Sequence, residues 1–210
     1  MKKNSIILLK STLGRLPLYY CYLEEMMKNG EEYVSSAVLA QSLSINPVQV
    51  RKDLASVSSV PGRPKLGFKT NQLYNDIKSH LGYDNYDEAV LVGVGSLGKV
   101  LMKYNGFTNY GLEIIAGFDA NPTSKQVGGK AVMSIDMIES FLQRFNIKIG
   151  IIAVPSSEAQ KVADLLVSNG VQAIWNFAPA TLRLPDNVLI KNENLAASLA
   201  ALTTELRRRN

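Results

Sequence analysis

The 210-residue chain has a single cysteine, Cys21, and a single histidine, His80. One thiol forms no internal disulfide, and one histidine beside it gives no His/Cys cluster with the spacing of a zinc site, so neither cross-links nor a metal are expected. Long apolar runs are missing too: none approaches the roughly 20 residues that a membrane-spanning helix needs. The start, Met-Lys-Lys-Asn-Ser-Ile-Ile-Leu-Leu-Lys, is too short in its apolar part for a secretory signal, which points to the cytoplasm. His80 has no catalytic constellation around it and reads as a surface or packing residue. Apolar residues, by contrast, make up 46% of the chain, enough for one sizeable core and a small second domain.

The surplus of positive charge is confined to the first part of the chain. Residues 1–80 hold eleven Lys/Arg against six Asp/Glu, whereas residues 81–210 hold twelve of each. This asymmetry suggests that the first domain meets a polyanion and the second does not. A helix is expected from about Leu16 to Lys28, with Pro17 in its first turn, Asn29-Gly30 ending it, and Tyr19, Tyr20, Leu23, Met26 and Met27 as its apolar stripe. Ser35-Ser36 caps a short helix through Leu43, Ser44-Ile45 turns the chain, and Asn46-Pro47 opens a second helix to about Val57. Two short helices joined by a tight turn have the pattern of a helix-turn-helix. On the second, Val48, Val50, Leu54 and Val57 are assigned to the core, while Gln49, Arg51, Lys52 and Asp53 are polar. Gln49 and Lys52 share a face suited to base edges and phosphates, with Arg51 as a further cationic contact. The turn-rich stretch from Ser58 to Phe68 reads as a basic wing whose Arg63 and Lys65 would meet the duplex backbone or minor groove. Arg15, Ser44 and Asn46 complete the candidate DNA-contacting set. A further short helix, Leu73 to His80, leads into the connector Gly82-Tyr83-Asp84-Asn85-Tyr86-Asp87.

Residues 93–98 read Gly-Val-Gly-Ser-Leu-Gly, directly after the apolar run Ala89-Val90-Leu91-Val92 and ahead of a helix-like stretch. Asp119 closes the next apolar run, about 20 to 26 residues downstream, which is the setting of a dinucleotide-binding fingerprint. Gly93 permits the tight turn, Gly95 lets backbone approach a pyrophosphate, and Gly98 allows helix to pack closely on strand. The helix starting near Ser96, with Leu97 in its first turn, offers free N–H groups and its positive dipole end to the diphosphate. Asp119 can accept both ribose hydroxyls and would repel a 2′-phosphate; Ala120-Asn121-Pro122 supplies no arginine, so NAD is favoured, with Lys125 tempering the preference.

Beyond the fingerprint, strand candidates at Glu113–Asp119, Ala131–Met133, Lys148–Val154, Ala173–Phe177 and Val188–Lys191 alternate with helices near 134–144 and 156–169. This is the pattern of one doubly wound parallel sheet. No room is left for the separate substrate domain of most nicotinamide dehydrogenases. No spare acid/base pair is evident either, Tyr104 and Lys103 being the remaining candidates for proton traffic, so a cofactor that is sensed is favoured over one that is turned over. From Asn194 to Arg209, Leu195, Leu199, Leu202 and Leu206 form one apolar seam, which either docks on its own domain or packs across a twofold axis. The Arg207-Arg208-Arg209 run suits the helix carboxyl end.

The chain resembles the Rex family of redox-sensing transcriptional repressors over nearly its whole length. The matches are Arg15-Leu16-Pro17-Leu18-Tyr19-Tyr20, Val50-Arg51-Lys52-Asp53-Leu54, Gly93 to Gly98, Gly117-Phe118-Asp119, Ile152-Ala153-Val154-Pro155 and Asn176-Phe177-Ala178-Pro179. The resemblance implies an α/β protein with a winged helix-turn-helix domain (1–82), a Rossmann-like NAD(H)-binding domain (83–191) and a terminal dimerisation helix swapped between subunits (192–210). It implies a non-enzymatic homodimer that binds operator DNA when NADH is scarce relative to NAD and releases it when NADH rises. It also puts Val154, Pro155, Phe177, Ala178 and Pro179 near the nicotinamide and Tyr104 near the subunit junction.

Two departures stand out. Cys21 occupies the family's arginine position after the paired aromatics of the first helix, and Asn194 its aspartate position before the terminal helix, so an ionic contact implicated in redox coupling is lost. Ala55-Ser56-Val57-Ser58 and the wing Arg63-Pro64-Lys65-Leu66-Gly67-Phe68 also differ from the family pattern, which implies altered operator preference. A divergent paralogue with weakened redox response is one reading. A small NAD-dependent oxidoreductase, or a nucleotide-binding scaffold or CoA-type domain without regulated DNA binding, are the alternatives.

Overall fold

A computed structural model of the chain describes residues 10–85 and 87–209; residues 1–9, most of the stretch weighed as a secretory signal, together with Tyr86 of the connector and Asn210, lie outside the described residues. The chain divides into two compact units, 1–85 and 86–210.

The first unit contains α1 (Lys10–Lys28), β1 (Tyr33–Val34), α2 (Ser36–Ser42), α3 (Pro47–Val57), β2 (Phe68–Lys69) and α4 (Thr70–Leu81). Local chemistry sets the helix-turn-helix. Ser35 caps α2 by accepting from the Val38 N–H, and Asn46 caps α3 by accepting from Val48 and Gln49 while Pro47 begins the helix. Ser44 takes a left-handed conformation, φ 54°, in the turn between them. β1 and β2 pair antiparallel and close the base of the wing, where Gly67 sits at φ +90° so close to Val34 that any side chain would collide with the Val34 carbonyl.

Three expectations are corrected here. α1 begins at Lys10, not Leu16, so Pro17 lies inside the helix and Arg15 becomes helical; Leu13, the residue four back from Pro17, is exposed, so water can take the bond that the proline cannot donate. α4 begins at Thr70 in place of Leu73. Met27 is exposed, and the buried stripe of α1 is Leu16, Tyr19, Tyr20 and Leu23, spaced three and four apart toward α4.

The second unit contains β3 (Asp87–Val92), α5 (Ser96–Lys103), a 3-10 segment (Asn105–Tyr110), β4 (Leu112–Asp119), β5 (Gln126–Val127), β6 (Lys130–Ser134), a 3-10 turn (Ile135–Met137), α6 (Ile138–Phe145), β7 (Ile149–Ile152), α7 (Ser156–Ser168), β8 (Ala173–Asn176), β9 (Leu189–Asn192) and α8 (Leu195–Arg209). The sheet runs β5-β6-β4-β3-β7-β8-β9, parallel apart from the β5–β6 hairpin. Its parallel strands therefore lie in the order third, second, first, fourth, fifth, sixth, the doubly wound arrangement with its switch point between β3 and β7. β3 is central, and its last four residues are buried on both sides: Val90 and Val92 pack with α6 and α7 side chains, Ala89 and Leu91 with Leu101 and Met102 of α5. The short β5 and the 105–110 segment carry too little periodicity to be read from sequence. α8 shows its apolar seam to solvent, with Leu195, Leu199, Leu202 and Leu206 between 61% and 67% exposed. Among the described residues no helix is long and apolar enough to cross a membrane.

Candidate functional site

At the carboxyl ends of β3, β4 and β7 the sheet opens into a cleft of about 630 Å³, within the range of small-molecule sites. Gly93 turns the chain out of β3 at φ +99°, and a side chain there would strike the Ala153 backbone. A Cβ on Gly98 would collide with the Gly93 carbonyl oxygen, so the third glycine sets how closely α5 approaches its strand. Gly95 has open space where its Cβ would be, leaving backbone free for close approach by a ligand. Asp119, the last residue of β4, accepts from the Val94 N–H at 2.7 Å through Oδ2 and from the Asn121 N–H at 2.9 Å through Oδ1. Both oxygens keep further lone pairs, so a carboxylate fixed in this way can still take two hydroxyl donors.

Of the cofactor candidates, Gly93, Gly95, Asp119, Val154 and Pro155 line the cleft; Ser96, Leu97, Gly98, Phe177, Ala178, Pro179 and Tyr104 do not. Gly98 acts from behind the turn. Phe177 instead donates its N–H to Ile152 beside β7, and Tyr104, Phe107, Trp175 and Phe177 form a chain of ring contacts with centroids 4.6–5.5 Å apart on the α5 side of the sheet. Sequence reading missed the far wall: Ile135 and Asp136 from the turn after β6, Glu139 from the first turn of α6, and Glu158, Lys161, Val162 and Leu165 from α7. The α7 group follows i, i+3, i+4, i+7 spacing, and the rule that ligands enter outside the strand ends at a switch point would have singled out that helix face. Four carboxylates against one lysine make the cleft unfavourable for an extra phosphate.

In the first unit, α3 presents Val48, Arg51, Lys52 and Ala55 to solvent, a second i, i+3, i+4, i+7 face, opposite buried Val50, Asp53, Leu54 and Val57. Val48 is 59% exposed and Asp53 1%, which reverses the sequence assignment of both. The reason is a hydrogen-bonded hub. Asp53 receives Thr12 Oγ1 at 3.1 Å, Arg15 Nε at 2.7 Å and Nη2 at 2.9 Å, Tyr19 OH at 2.7 Å and Gln49 Nε2 at 2.9 Å. Burial alone would raise this carboxyl, but the hydrogen bonds from Arg15, Tyr19, Gln49 and Thr12 outweigh it and hold Asp53 below its ordinary pKa. Arg15, expected at the DNA surface, thus spends its guanidinium on fixing α1 to α3, and Gln49, expected there too, donates to Asp53 within α3. Asn46 likewise caps α3, and Ser44 is exposed at the turn. Exposed Val48 and Ala55 add apolar contact area of the kind that meets thymine methyl groups.

The wing loop is anchored by Asp76 of α4, which accepts from the Ser59 N–H and Oγ at 2.7 and 2.8 Å. Its tip closes through reciprocal Arg63–Gly67 backbone bonds, with Lys65 left-handed at φ 64°. The Arg63 guanidinium lies 5.8 Å from the Tyr33 ring centroid and donates to its hydroxyl at 3.3 Å. Among the described residues no carboxylate is within ion-pair distance of Arg51, Lys52, Arg63 or Lys65, and no group of three or more His, Cys, Asp or Glu is placed to hold a metal.

Comparison with known proteins agrees with both halves. Residues 10–55 match the family model "Putative DNA-binding protein N-terminus", and residues 84–180 match "CoA binding domain". The redox-sensing transcriptional repressor Rex of Clostridium beijerinckii is 43% identical over 196 residues, covering 91% of this chain and 92% of the relative; that of Bacteroides fragilis is 34% identical over 206 residues, covering 97% and 93%. Among solved structures, RSP in complex with β-NAD+ and operator DNA superposes with a TM-score of 0.87 at 33% identity, covering 98% of this chain and 95% of that one. RSP in complex with β-NADH gives 0.85 at 33% identity, covering 98% and 97%.

Proposed function

The chain belongs to the Rex family of redox-sensing transcriptional repressors, and from this premise we propose that it represses by binding operator DNA as a homodimer and lets go when NADH replaces NAD. The observation that carries this is the pairing, in one chain, of a cationic outward face on a braced α3 with a cleft whose glycine turn and Asp119 suit a dinucleotide. Gly93 and Gly95 would receive the pyrophosphate with the amino end of α5, and Asp119 the ribose hydroxyls. When bound, the cofactor supplies a signal: a cationic aromatic ring if oxidised, a neutral dihydropyridine if reduced.

In the dimer, two subunit arrangements differ in the spacing of the paired α3 helices, and only one spans both operator half-sites. A preference of NADH over NAD for the other arrangement is the coupling energy, typically about 1–3 kcal/mol. A gel-shift titration with a palindromic duplex, with and without NADH, tests it. NADH should weaken binding by the wild type, whereas Asp119→Ala should bind the duplex without cofactor and ignore NADH. Loss of duplex binding by Asp119→Ala in the absence of cofactor would refute separate sensing and DNA-binding units.

Truncating Arg51 and Lys52 together should abolish operator binding at moderate salt. In residual binding at low salt, each lost phosphate contact should reduce the slope of log K against log salt by about 1. A double variant with the wild-type slope would mean that this α3 face does not touch phosphate.

A further inference from the structure

Asn176 is the last residue of β8, wholly buried, and uses its whole side-chain amide. Its two Nδ2 hydrogens are shared among three acceptors, the carbonyls of Ala178 at 3.2 Å and Ala180 at 3.1 Å and Asn192 Oδ1 at 2.9 Å; its Oδ1 accepts from the Ala178 N–H at 3.0 Å. One side chain thereby shapes the loop carrying Phe177, Ala178 and Pro179 and also grips the end of β9. The connection continues without a gap. Glu193 donates its N–H to the Asn176 carbonyl at 2.8 Å and accepts from Trp175 Nε1 at 3.3 Å, and Asn194 caps α8 by accepting from the Ala197 N–H at 2.9 Å. Asn192, Glu193 and Asn194 are thus three consecutive residues tied respectively to Asn176, to β8 and to the first turn of the terminal helix. Capping also gives a reason for asparagine at 194: it supplies the same side-chain acceptor that an aspartate would.

We propose that Asn176 is a positioning residue of the redox switch: through its hydrogen bond to Asn192 it couples the loop after β8 to the root of α8, so that a change at the loop reorients the terminal helix. This rests on the function proposed above and on the family resemblance, which implies that the loop lies near the nicotinamide and that α8 serves the dimer; the loop itself lies outside the cleft lining but is tied by the Phe177 N–H to Ile152, next to the cleft residue Ala153. The bond suits such a role because Asn192 is exposed and contributes nothing to the core, while Asn176 keeps two loop carbonyls when Asn192 is removed. Deleting the Asn192 amide removes the side-chain tie to the loop-shaping amide of Asn176, while the β8–β9 ladder and the Glu193 bonds to β8 hold the strand in place and the cleft lining is untouched.

The experiment compares full-length wild type, Asn192→Ala and Asn192→Asp, the last retaining an acceptor oxygen for Asn176. Hydrogen exchange of the α8 amides is measured with NAD and with NADH, and operator affinity is measured in parallel. In the wild type, NADH should shift α8 exchange relative to NAD and weaken operator binding by about 5- to 150-fold, the usual span of such coupling. Asn192→Ala should bind NADH as tightly as the wild type, bind operator normally without it, and lose both responses; Asn192→Asp should keep them. Wild-type responses in Asn192→Ala, or α8 exchange in the wild type that does not distinguish the two cofactors, overturn the proposal. Failure of the repressor reading has a different signature: operator affinity in the wild type indifferent to cofactor while α8 exchange still responds and still depends on Asn192.

Discussion

Asp53→Ala should unfold or severely loosen the first unit and eliminate operator binding, although residue 53 itself faces away from solvent. Removing one member of a buried ion pair typically costs about 3–5 kcal/mol, because the partner is left uncompensated. Here the loss strands Arg15 and the hydroxyls of Thr12 and Tyr19 together. Against a typical domain stability of about 5–15 kcal/mol, that is a large share. A guanidinium stays charged without its partner, and burial pushes the Tyr19 phenol upward, so neither group titrates to relieve the defect near neutrality. The same hub sets an acid limb. Since the folded pKa of Asp53 is lowered, its stabilisation is present above the ordinary carboxylate pKa of about 4 and fades as pH falls through the lower folded value. Thermal unfolding followed by far-UV circular dichroism should show a transition that weakens on acidification in the wild type and has lost the Asp53 share of that dependence in Asp53→Ala. Trp175, the sole tryptophan, lies in the second unit, so its fluorescence should report an unaltered second transition. A variant as stable as the wild type, with its operator affinity intact, would show that α3 is positioned by apolar packing alone.

Gly98→Ala should be the most damaging single methyl in the second unit. The added carbon would run into the Gly93 carbonyl oxygen, and Leu91 Cδ2 lies 3.1 Å away on the same side, so α5 must retreat from β3. Overpacking of this sort costs about 1–3 kcal/mol, and the displacement falls on the turn that has to meet the pyrophosphate. The expected result is loss of NADH binding in a fluorescence titration, with operator binding retained but no longer relieved by NADH. Gly95→Ala makes a useful contrast, because its Cβ meets no protein atom and it should reduce cofactor affinity without a stability loss. Equal NADH affinity in Gly98→Ala and the wild type would refute the role given to this contact.

Much of the molecule was legible in the sequence because the deciding interactions are short-ranged along the chain. Ser35 and Asn46 mark helix starts through bonds two or three residues away, the glycines of 93–98 act within one turn, and the apolar strands alternate with helices in an order that admits one parallel architecture. Polarity alone puts Asp53 outside and Val48 inside, the reverse of where they lie. An unaccompanied carboxylate belongs outside, but this one has donors 34, 38 and 41 residues back on α1, and no local pattern announces them. Pro17 reads as a helix start for a similar reason, since proline preference is local, whereas the packing of Leu16, Tyr19 and Leu23 continues the helix through it.

The chain's own order of residues thus determined the helix-turn-helix, the nucleotide turn with its acidic partner and the doubly wound class of the second unit, each written in contacts between near neighbours. Only the tertiary structure decided which face of α3 looks outward, which wall of α7 closes the cleft, and that Asn176 and Asn192, sixteen residues apart, join the loop after β8 to the start of α8. Those features depend on side chains that meet only when distant segments pack, where burial turns a polar group's choice of partner into a structural constraint.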